Sequence, residues 1–228
     1  MSADPDSQKY VAKLRHVREV SLRGTADLNF WKERLEMQGL MPADRDGAAE
    51  ILIIAAEGRF WGLRFREMSV SVVMPAATAD AAYLVQAFNS RKFFAWSERR
   101  FFSTPYVHAD VRLTTTPPSM ELRQNNATVL HAAMGELGDR DPQIRPEALW
   151  QGRIFIPNRM KREPLFFVGK LAGEAVVCPF SAAHDRFEMQ ADAAPELISI
   201  LRESGFTPQE WSIRNDASHS RSTTYKVP

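Results

Sequence analysis

Cysteine is nearly absent from this sequence of 228 residues, in which Cys178 stands alone. A single thiol forms no disulfide within the chain and no thiolate metal cluster. Its neighbours Val176, Val177 and Pro179 predict a buried, unreactive side chain. Excess charge is also absent, because 29 basic and 28 acidic residues leave a formal net charge of +1. The chain as a whole therefore has no field that would favour nucleic acid or an anionic membrane, and we expect neither as a partner.

Long apolar runs are missing too, since no stretch approaches the 18 or so residues that a membrane-spanning helix needs. The first residues are polar and acidic, which is unlike an export signal. We therefore expect a cytoplasmic protein with a mobile N-terminal segment over 1–9 and a single domain over 10–228. A hydrophobic content of 44% is enough for a sizeable core.

The usual chemical motifs are not found. The sequence has no glycine-rich phosphate loop, no HExxH, no GxSxG and no paired Cys or His spacing. Its histidines are scattered, so a metal site would have to be assembled from distant segments. We expect no cofactor and no metal.

Short runs rich in β-branched and aromatic residues recur from residue 50 to residue 190, separated by Gly, Pro and Asn. Three helices are predicted around them: one capped by Asp27, one over 91–102 and one over 196–203. Residues 10–20 fit either a short amphipathic helix or the start of a strand. A hairpin is predicted over 51–74, with its turn at Glu57–Gly58. This order predicts a mainly β (α+β) fold, a large antiparallel sheet or barrel with peripheral helices.

Glu67 is a carboxylate within the apolar strand FRFREMSVSVV. Alternation places Phe65, Glu67 and Ser69 on one face of that strand. A carboxylate beside aromatic side chains can have a raised pKa and act as an acid or base. An ion pair with a neighbouring arginine is the alternative.

His108 enters the next strand together with Tyr106 and Asp110, and alternation puts the three on one face. Three proton-carrying groups in register can form a site, although the same pattern also fits a solvent-facing strand. Arg99, near the end of the preceding helix, can bind a carboxylate or complement the helix dipole.

Several segments, in this order, resemble the acetoacetate decarboxylase-like superfamily. FREMSVSVVM resembles its Tyr-x-Glu strand, and AAYLVQAFNSRKFFAWSERRFFSTPYV resembles its strand, helix and Gly-Arg-Glu...Pro-Lys-Lys segment. GRIFIPNRM is similar to its Pro-Asn-(Tyr/Phe) strand, and LFFVGKLAGEAVV and the helix over 196–203 follow in the expected order. The resemblance implies a conical antiparallel β-barrel around a small-molecule cavity, with Glu67 as the active-site glutamate.

The same resemblance argues against the family's decarboxylation. Family decarboxylases form a Schiff base through the first lysine of the Lys-Lys pair, and the matching positions here are Tyr106 and Val107. Neither forms an imine. Lys170 is a weak substitute that can point inward or extend to solvent at a strand end, and Arg18 is the nearest match in order to the family's N-terminal arginine.

Three functions remain open on this reading. The first is an enzyme, a lyase or hydrolase, that uses Glu67, Tyr106 and His108 on a small carbonyl or carboxylate compound without a Schiff base. The second is a non-catalytic module that binds a small ligand, and the third is an interaction protein whose cavity is filled by its own side chains. We also expect a homo-oligomer, since 14 phenylalanines and five tryptophans can leave apolar surface for a second copy.

Overall fold

The computed structural model describes residues 9–75, 80–138, 140–157, 164–190 and 196–226. Three predicted features therefore lie outside the described residues: nearly all of the N-terminal segment over 1–9, the Asn158–Met160 part of GRIFIPNRM, and the start of the last helix at Pro195.

Strands dominate the described chain. The helices are α1 (Leu28–Glu36), α2 (Lys92–Phe102) and α3 (Glu196–Glu203). The strands are β1 (Tyr10–Asp27), β2 (Asp44–Arg45), β3 (Ala48–Phe60), β4 (Leu63–Met74), β5 (Asp80–Asn89), β6 (Tyr106–His108), β7 (Asp110–Thr115), β8 (Pro118–Gln124), β9 (Ala127–Ala133), β10 (Gln143–Ile156), β11 (Leu165–Pro179), β12 (Arg186–Met189), β13 (Thr207–Ser222) and β14 (Tyr225–Lys226). Within the described ranges, none of the three helices is both long and apolar enough to cross a membrane.

The predicted helix after Asp27 is confirmed as α1. The Asp27 carboxylate accepts a hydrogen bond from the backbone N–H of Phe30 at 2.7 Å, which satisfies one of the free donors of the first turn. Leu28, Trp31 and Leu35 lie on one face and are buried. Residues 10–20, for which helix and strand were both open, belong to the long strand β1: β13 pairs with it from Tyr10 onward, and β3 pairs with its other edge from Arg18 onward.

The predicted hairpin is formed by β3 and β4, but its turn is not at Glu57–Gly58. Those two residues continue β3, where Gly58 pairs with Phe65. The chain reverses four residues later, at Trp61 and Gly62, which both have positive φ (50° and 78°). Two-residue hairpin turns require such angles because they match the twist of the strands.

Seven strands pair in a closed ring, in the order β1, β13, β11, β10, β5, β4, β3 and back to β1. A separate four-stranded sheet has the order β12-β9-β8-β7. The sequence predicted an antiparallel sheet or barrel, but β5 and β10 pair in parallel within the ring. β6, which lies beside the ring, also pairs in parallel with β5. The α2 segment carries the chain from β5 back to the start of β6, and a crossover of this kind is what a parallel pair needs.

The two faces of the ring differ in chemistry. On one face, buried apolar residues from β1, β3, β4 and β5 pack with α1, α3 and the small sheet in one core: Val20, Leu22, Ile51, Ile53, Met68, Val70 and Phe88 belong to it. The alternate residues of the same strands form the opposite face, which we call the inner face. Glu19, Ala56, Glu67 and Asn89 occupy paired positions across it.

Gly24 tests how tightly β1 is packed. A Cβ at this position would lie 2.3 Å from the Thr207 carbonyl oxygen and 2.6 Å from the Phe206 ring. We expect Gly24→Ala to lower the free energy of unfolding by about 1–3 kcal/mol, because backbone must move to admit the methyl group. Urea denaturation measures this change.

Gly58 is the matched control, since a Cβ there would have its nearest neighbour at an ordinary 3.5 Å. We expect Gly58→Ala to leave the free energy of unfolding unchanged or to raise it by up to about 1 kcal/mol, because alanine loses less backbone entropy than glycine in a strand. Equal losses in the two variants would contradict the packing described for β1.

Candidate functional site

Glu67 and Tyr106 meet on the inner face. Glu67 lies on β4 between Ala56 of β3 and Asn89 of β5. Tyr106 begins β6, which the left-handed residue Ser103 (φ 58°) at the end of α2 helps to turn back alongside β5. The Tyr106 hydroxyl donates a hydrogen bond to Oε2 of Glu67 at 3.1 Å. A carboxylate and a phenol that are 39 positions apart in sequence are thus in direct contact.

Both groups titrate abnormally for reasons of position. Burial raises the pKa of Glu67; the Glu98 carboxylate adds to this, while His219, Tyr106 and Arg221 only partly offset it. Burial, together with the negative charges of Glu67 and Glu98, raises the pKa of Tyr106 well above its ordinary value. Glu67 therefore holds a proton more readily than a solvated glutamate does, and Tyr106 stays neutral as a hydrogen-bond donor.

The first of two ion-pair clusters beside this pair is formed by Glu98 of α2 and Arg221 of β13. Thr104 donates a further hydrogen bond to Glu98 at 3.0 Å. The Arg221 guanidinium lies 4.6 Å from the centre of the Phe102 ring and 4.3 Å from that of Phe167. Its Nη2 is buried and has no hydrogen-bond acceptor among the described residues.

The second cluster is centred on Glu19 of β1, whose side chain is 1% exposed. Arg214 donates to Oε1 of Glu19 at 2.6 Å, and Nε2 of His219 lies 2.9 Å from Oε2. Burial alone would raise the pKa of Glu19, but the contacts with His219 and Arg214 reverse this and lower it. Burial alone would lower the pKa of His219, and the contact with Glu19 reverses that and raises it.

Apolar groups border the polar ones on both sides of the inner face. One cluster consists of Leu84, Ala87, Ile156 and Phe167, with Tyr106 packed against it. The other consists of Val17, Ala56 and Ala217. Glu67 and Tyr106 are not sealed by these contacts, because both keep part of their surface accessible to solvent. The same is true of Ile54 and Ser69, a pair next to them on the face.

His108 does not join Glu67 and Tyr106, contrary to our expectation. Alternation does put His108 on the same face of β6 as Tyr106, but it is the last residue of the three-residue strand and its side chain is exposed. His108 pairs with Asn89, the neighbour of Glu67, but β6 lies beside the ring and pairs only with β5 among the described strands, so this position is open to solvent. Asp110 is exposed as well and pairs with Arg112 at 3.1 Å.

The other predicted residues also lie apart from the pair. Arg18 binds Glu57, which adjoins Ala56 on β3 and therefore faces the opposite way. Arg64 and Arg66 bind the same carboxylate, and together the three arginines outweigh its burial and lower its pKa to about 2. Arg66, the arginine next to Glu67 on β4, thus pairs with Glu57 and not with Glu67.

Arg99 is exposed on α2, and no described carboxylate lies within ion-pair distance of it. Lys170 is half-buried on β11, where it pairs with Ser220. The next pair along is Gly169 with Arg221, so the inner face carries Arg221 and the opposite face carries Lys170. Cys178 is buried, as predicted.

Sequence reasoning missed Glu98, Arg214, His219 and Arg221 as members of the site. Glu98 is a single carboxylate on the buried side of a helix that otherwise looks basic and aromatic, four positions after buried Phe94. His219 and Arg221 lie in SHSRS, where no apolar residue marks which side faces inward. Among the described residues, no three His, Cys, Asp or Glu side chains are grouped as a metal ion requires.

No family model and no curated protein sequence matches the chain. Solved structures do resemble it over nearly its whole length. The enduracididine biosynthesis enzyme MppR, complexed with the condensation product of pyruvate and imidazole 4-carboxaldehyde, matches with a TM-score of 0.62 and 8% identity, covering 99% of this chain and 92% of that one. Acetoacetate decarboxylase from Legionella pneumophila gives 0.59 and 15%, covering 100% and 92%.

An acetoacetate decarboxylase-like enzyme from Sphingomonas wittichii RW1 gives a TM-score of 0.55 and 10% identity, covering 95% of this chain and 93% of that one. The chain has the acetoacetate decarboxylase-like fold. The resemblance drawn from the ordered sequence segments is confirmed at this level. At such low identities the acetoacetate decarboxylase-like fold alone carries over, and the chemistry has to be argued from the residues of this chain.

We expect Glu19→Gln to lower the free energy of unfolding by about 3 kcal/mol, because it leaves Arg214 buried without its counter-charge. It should also reverse the pH dependence that His219 contributes. In the unaltered protein the raised pKa of His219 gives stability that is fully present below its ordinary pKa of 6.5 and is lost as pH rises through the folded-state value. Without Glu19, burial lowers the pKa of His219 below 6.5, so that His219 destabilises the folded protein at low pH. The free energy of unfolding would then increase as pH rises toward 6.5.

Urea denaturation at several pH values and NMR titration of the His219 ring measure both effects. Glu50→Gln is the matched control, because Glu50 is also buried and ion-paired, with Arg23 and Arg45. An unchanged His219 titration in Glu19→Gln would contradict the assignment.

Proposed function

We propose that the inner face binds a small carbonyl or carboxylate compound and that Glu67 and Tyr106 move and hold its protons without a Schiff base. The observation that carries this proposal is the 3.1 Å hydrogen bond from Tyr106 to Glu67 on a face that is still partly accessible. The proposal takes the ring of strands as the conical barrel of the acetoacetate decarboxylase-like fold and its inner face as the lining of the cavity.

The chemistry follows from the protonation states. Since Tyr106 stays neutral, its one O–H would turn from Glu67 to the carbonyl oxygen of a bound ligand, which would leave the Glu67 carboxylate free to act as a base. Glu67, when ionised, is a stronger base than a solvated carboxylate because its pKa is raised. It would remove a proton from the carbon next to the carbonyl, while Tyr106 holds the developing enolate oxygen, and then return the proton. General acid–base assistance of this kind contributes about 10²- to 10⁴-fold.

The charge of the site suits an anionic ligand or enolate. Around Glu67 stand the cations Arg214, Arg221 and protonated His219 and the carboxylates Glu19 and Glu98. When Glu67 carries its proton, three positive charges face two negative ones. With His219 protonated as well, the single excess positive charge stabilises the enolate that forms when Glu67 has taken up the ligand's proton.

Lysine chemistry is not part of the proposal. Tyr106 and Val107 occupy the positions that the resemblance assigns to the lysine pair, and neither side chain forms an imine. Lys170 is on the opposite face of β11 from Arg221. Expulsion of carbon dioxide from a β-keto acid needs an electron sink that a hydrogen bond from tyrosine does not replace.

A thermal-shift screen with pyruvate, acetoacetate and other small keto acids tests binding, since a ligand specific for the folded state raises the melting temperature. We expect Tyr106→Phe to weaken binding of the compounds found by tenfold or more, because the carbonyl loses its donor. Glu67→Gln should retain binding but stop exchange of the ligand's α-protons with deuterated solvent, followed by NMR.

Tyr83→Phe is the matched control, because Tyr83 is a buried tyrosine that packs in the main core on the opposite face of the ring. His108→Ala should also leave binding unchanged, since His108 is exposed. Binding without any proton exchange would favour a non-catalytic module. No binding by the unaltered protein would favour an interaction protein with a filled interior and would overturn the proposal.

Incubation with acetoacetate and borohydride tests the absence of an imine. We expect no lysine peptide to gain the mass of a reduced adduct, and carbon dioxide release near the uncatalysed rate. Peptide mass spectrometry gives the answer. An adduct on Lys170 or any other lysine, together with rapid turnover, would show that this chain has placed its nucleophile on a different strand.

A further inference from the structure

A continuous strip of aromatic rings runs across the outer side of α2 and the β3–β4 turn. Trp61 stacks on Phe60 at 4.6 Å, and Phe60 contacts Phe94 at 6.2 Å. From Phe94 the strip continues through Phe93 to Trp96 and ends at Phe101, with centroid distances of 5.8, 6.1 and 5.5 Å. Four members of this strip are largely uncovered: Trp61 is 81% exposed, Phe93 58%, Trp96 47% and Phe101 64%. We call these four residues the α2 patch.

Exposed cations surround the α2 patch. They are Arg59, beside the turn, and Lys92, Arg99 and Arg100 on α2. Among the described residues, no carboxylate lies within ion-pair distance of any of these four. The one acidic residue of α2, Glu98, faces inward and binds Arg221. The near-zero net charge of the whole chain therefore conceals a surface that is both aromatic and strongly basic.

This composition identifies the kind of partner. A second copy docked through the same patch would bring two sets of cations together, which opposes association. Anionic lipid headgroups supply the missing negative charge over a broad surface, and the acyl boundary beneath them accepts aromatic rings. Tryptophan is enriched at this boundary, and basic residues around an amphipathic helix add electrostatic attraction.

We propose that the α2 patch docks this protein on an anionic lipid surface, with Trp61, Phe93, Trp96 and Phe101 entering the headgroup region and the four cations meeting lipid phosphates. The net charge of the whole chain led us to expect no membrane partner, because that sum does not show how the cations are distributed over the surface. The proposal is independent of the one for the inner face, because it uses only the outward residues of α2 and the turn.

Co-sedimentation of the full chain with phosphatidylcholine vesicles, and with two-to-one phosphatidylcholine–phosphatidylserine vesicles, tests the proposal. We expect binding to the anionic vesicles that weakens as salt is added. Arg99→Ser with Arg100→Ser should reduce partitioning by about fivefold for each charge removed. Trp96→Ser with Phe101→Ser should reduce it by tenfold or more. Arg15→Ser with Arg202→Ser, two exposed arginines elsewhere, is the charge-matched control and should bind normally.

Tryptophan fluorescence provides a second measurement that needs no variant. Anionic vesicles that contain brominated lipid should quench the exposed Trp61 and Trp96. The buried Trp31 and Trp211, and the half-buried Trp150 of β10, which is not part of the patch, should stay emissive. Absence of binding, or equal binding by neutral vesicles and by both patch variants, would overturn the proposal. Loss of an oligomer in Trp96→Ser/Phe101→Ser would also overturn it and would assign the α2 patch to contact between copies. Polyglutamate serves as a probe for an acidic protein, and binding to polyglutamate but not to vesicles would overturn the proposal in favour of such a partner.

Discussion

The pairing of β1 along both of its edges is the constraint on which the rest of the structure depends. Its residues 18–27 pair with β3, and most of its length pairs with β13, so the first and last long strands of the chain close the ring together. Without this closure, Arg214 and His219 would have no fixed relation to Glu67, which is two strands beyond β1. Glu19 lies within the doubly paired part of β1 and links the closing strands by charge as well as by hydrogen bonds.

Two buried carboxyl groups on the inner face have pKa values that are shifted in opposite directions. Burial alone raises the pKa of Glu19 and of Glu67. Glu19 has Arg214 and His219 in direct contact, and its pKa falls. Glu67 has only a phenol in direct contact and feels a second carboxylate, and its pKa rises. Two glutamates whose environments separate their titrations are a common basis for dividing structural and acid–base roles.

The sequence predicted those parts of the fold in which local pattern and tertiary packing agree. α1 and α3 were evident because apolar spacing and breakers coincide in both, and Asp27 also caps α1. The β3–β4 turn was misplaced because Glu57–Gly58 is a common turn dipeptide, whereas Trp61 is an unusual residue for positive φ. The register of the β3–β4 pair, which extends to Phe60 and Leu63, decided the position of the turn, and local turn preference did not.

The candidate site divides in the same way. Glu67 and Tyr106 could be selected because each stands out against an apolar strand and matches an ordered family segment. The sequence did not show which histidine lies near them, because alternation gives the side of a strand on which a residue lies and not the place of that strand in the sheet. His108 is on the right side of β6, but β6 lies beside the ring and leaves that side chain exposed. His219 reaches the site through a pairing that joins residues about 200 positions apart in sequence.

The stacking of Arg221 over Phe102 and Phe167 links segments that are otherwise unrelated in sequence. A planar guanidinium fits flat against aromatic rings, and a lysine ammonium does not replace it there. Loss of either ring would leave Glu98 with a poorly held partner. Positions 98, 102, 167 and 221 should therefore change together in evolution or not at all, and an alignment of homologous sequences should show them as one covarying group.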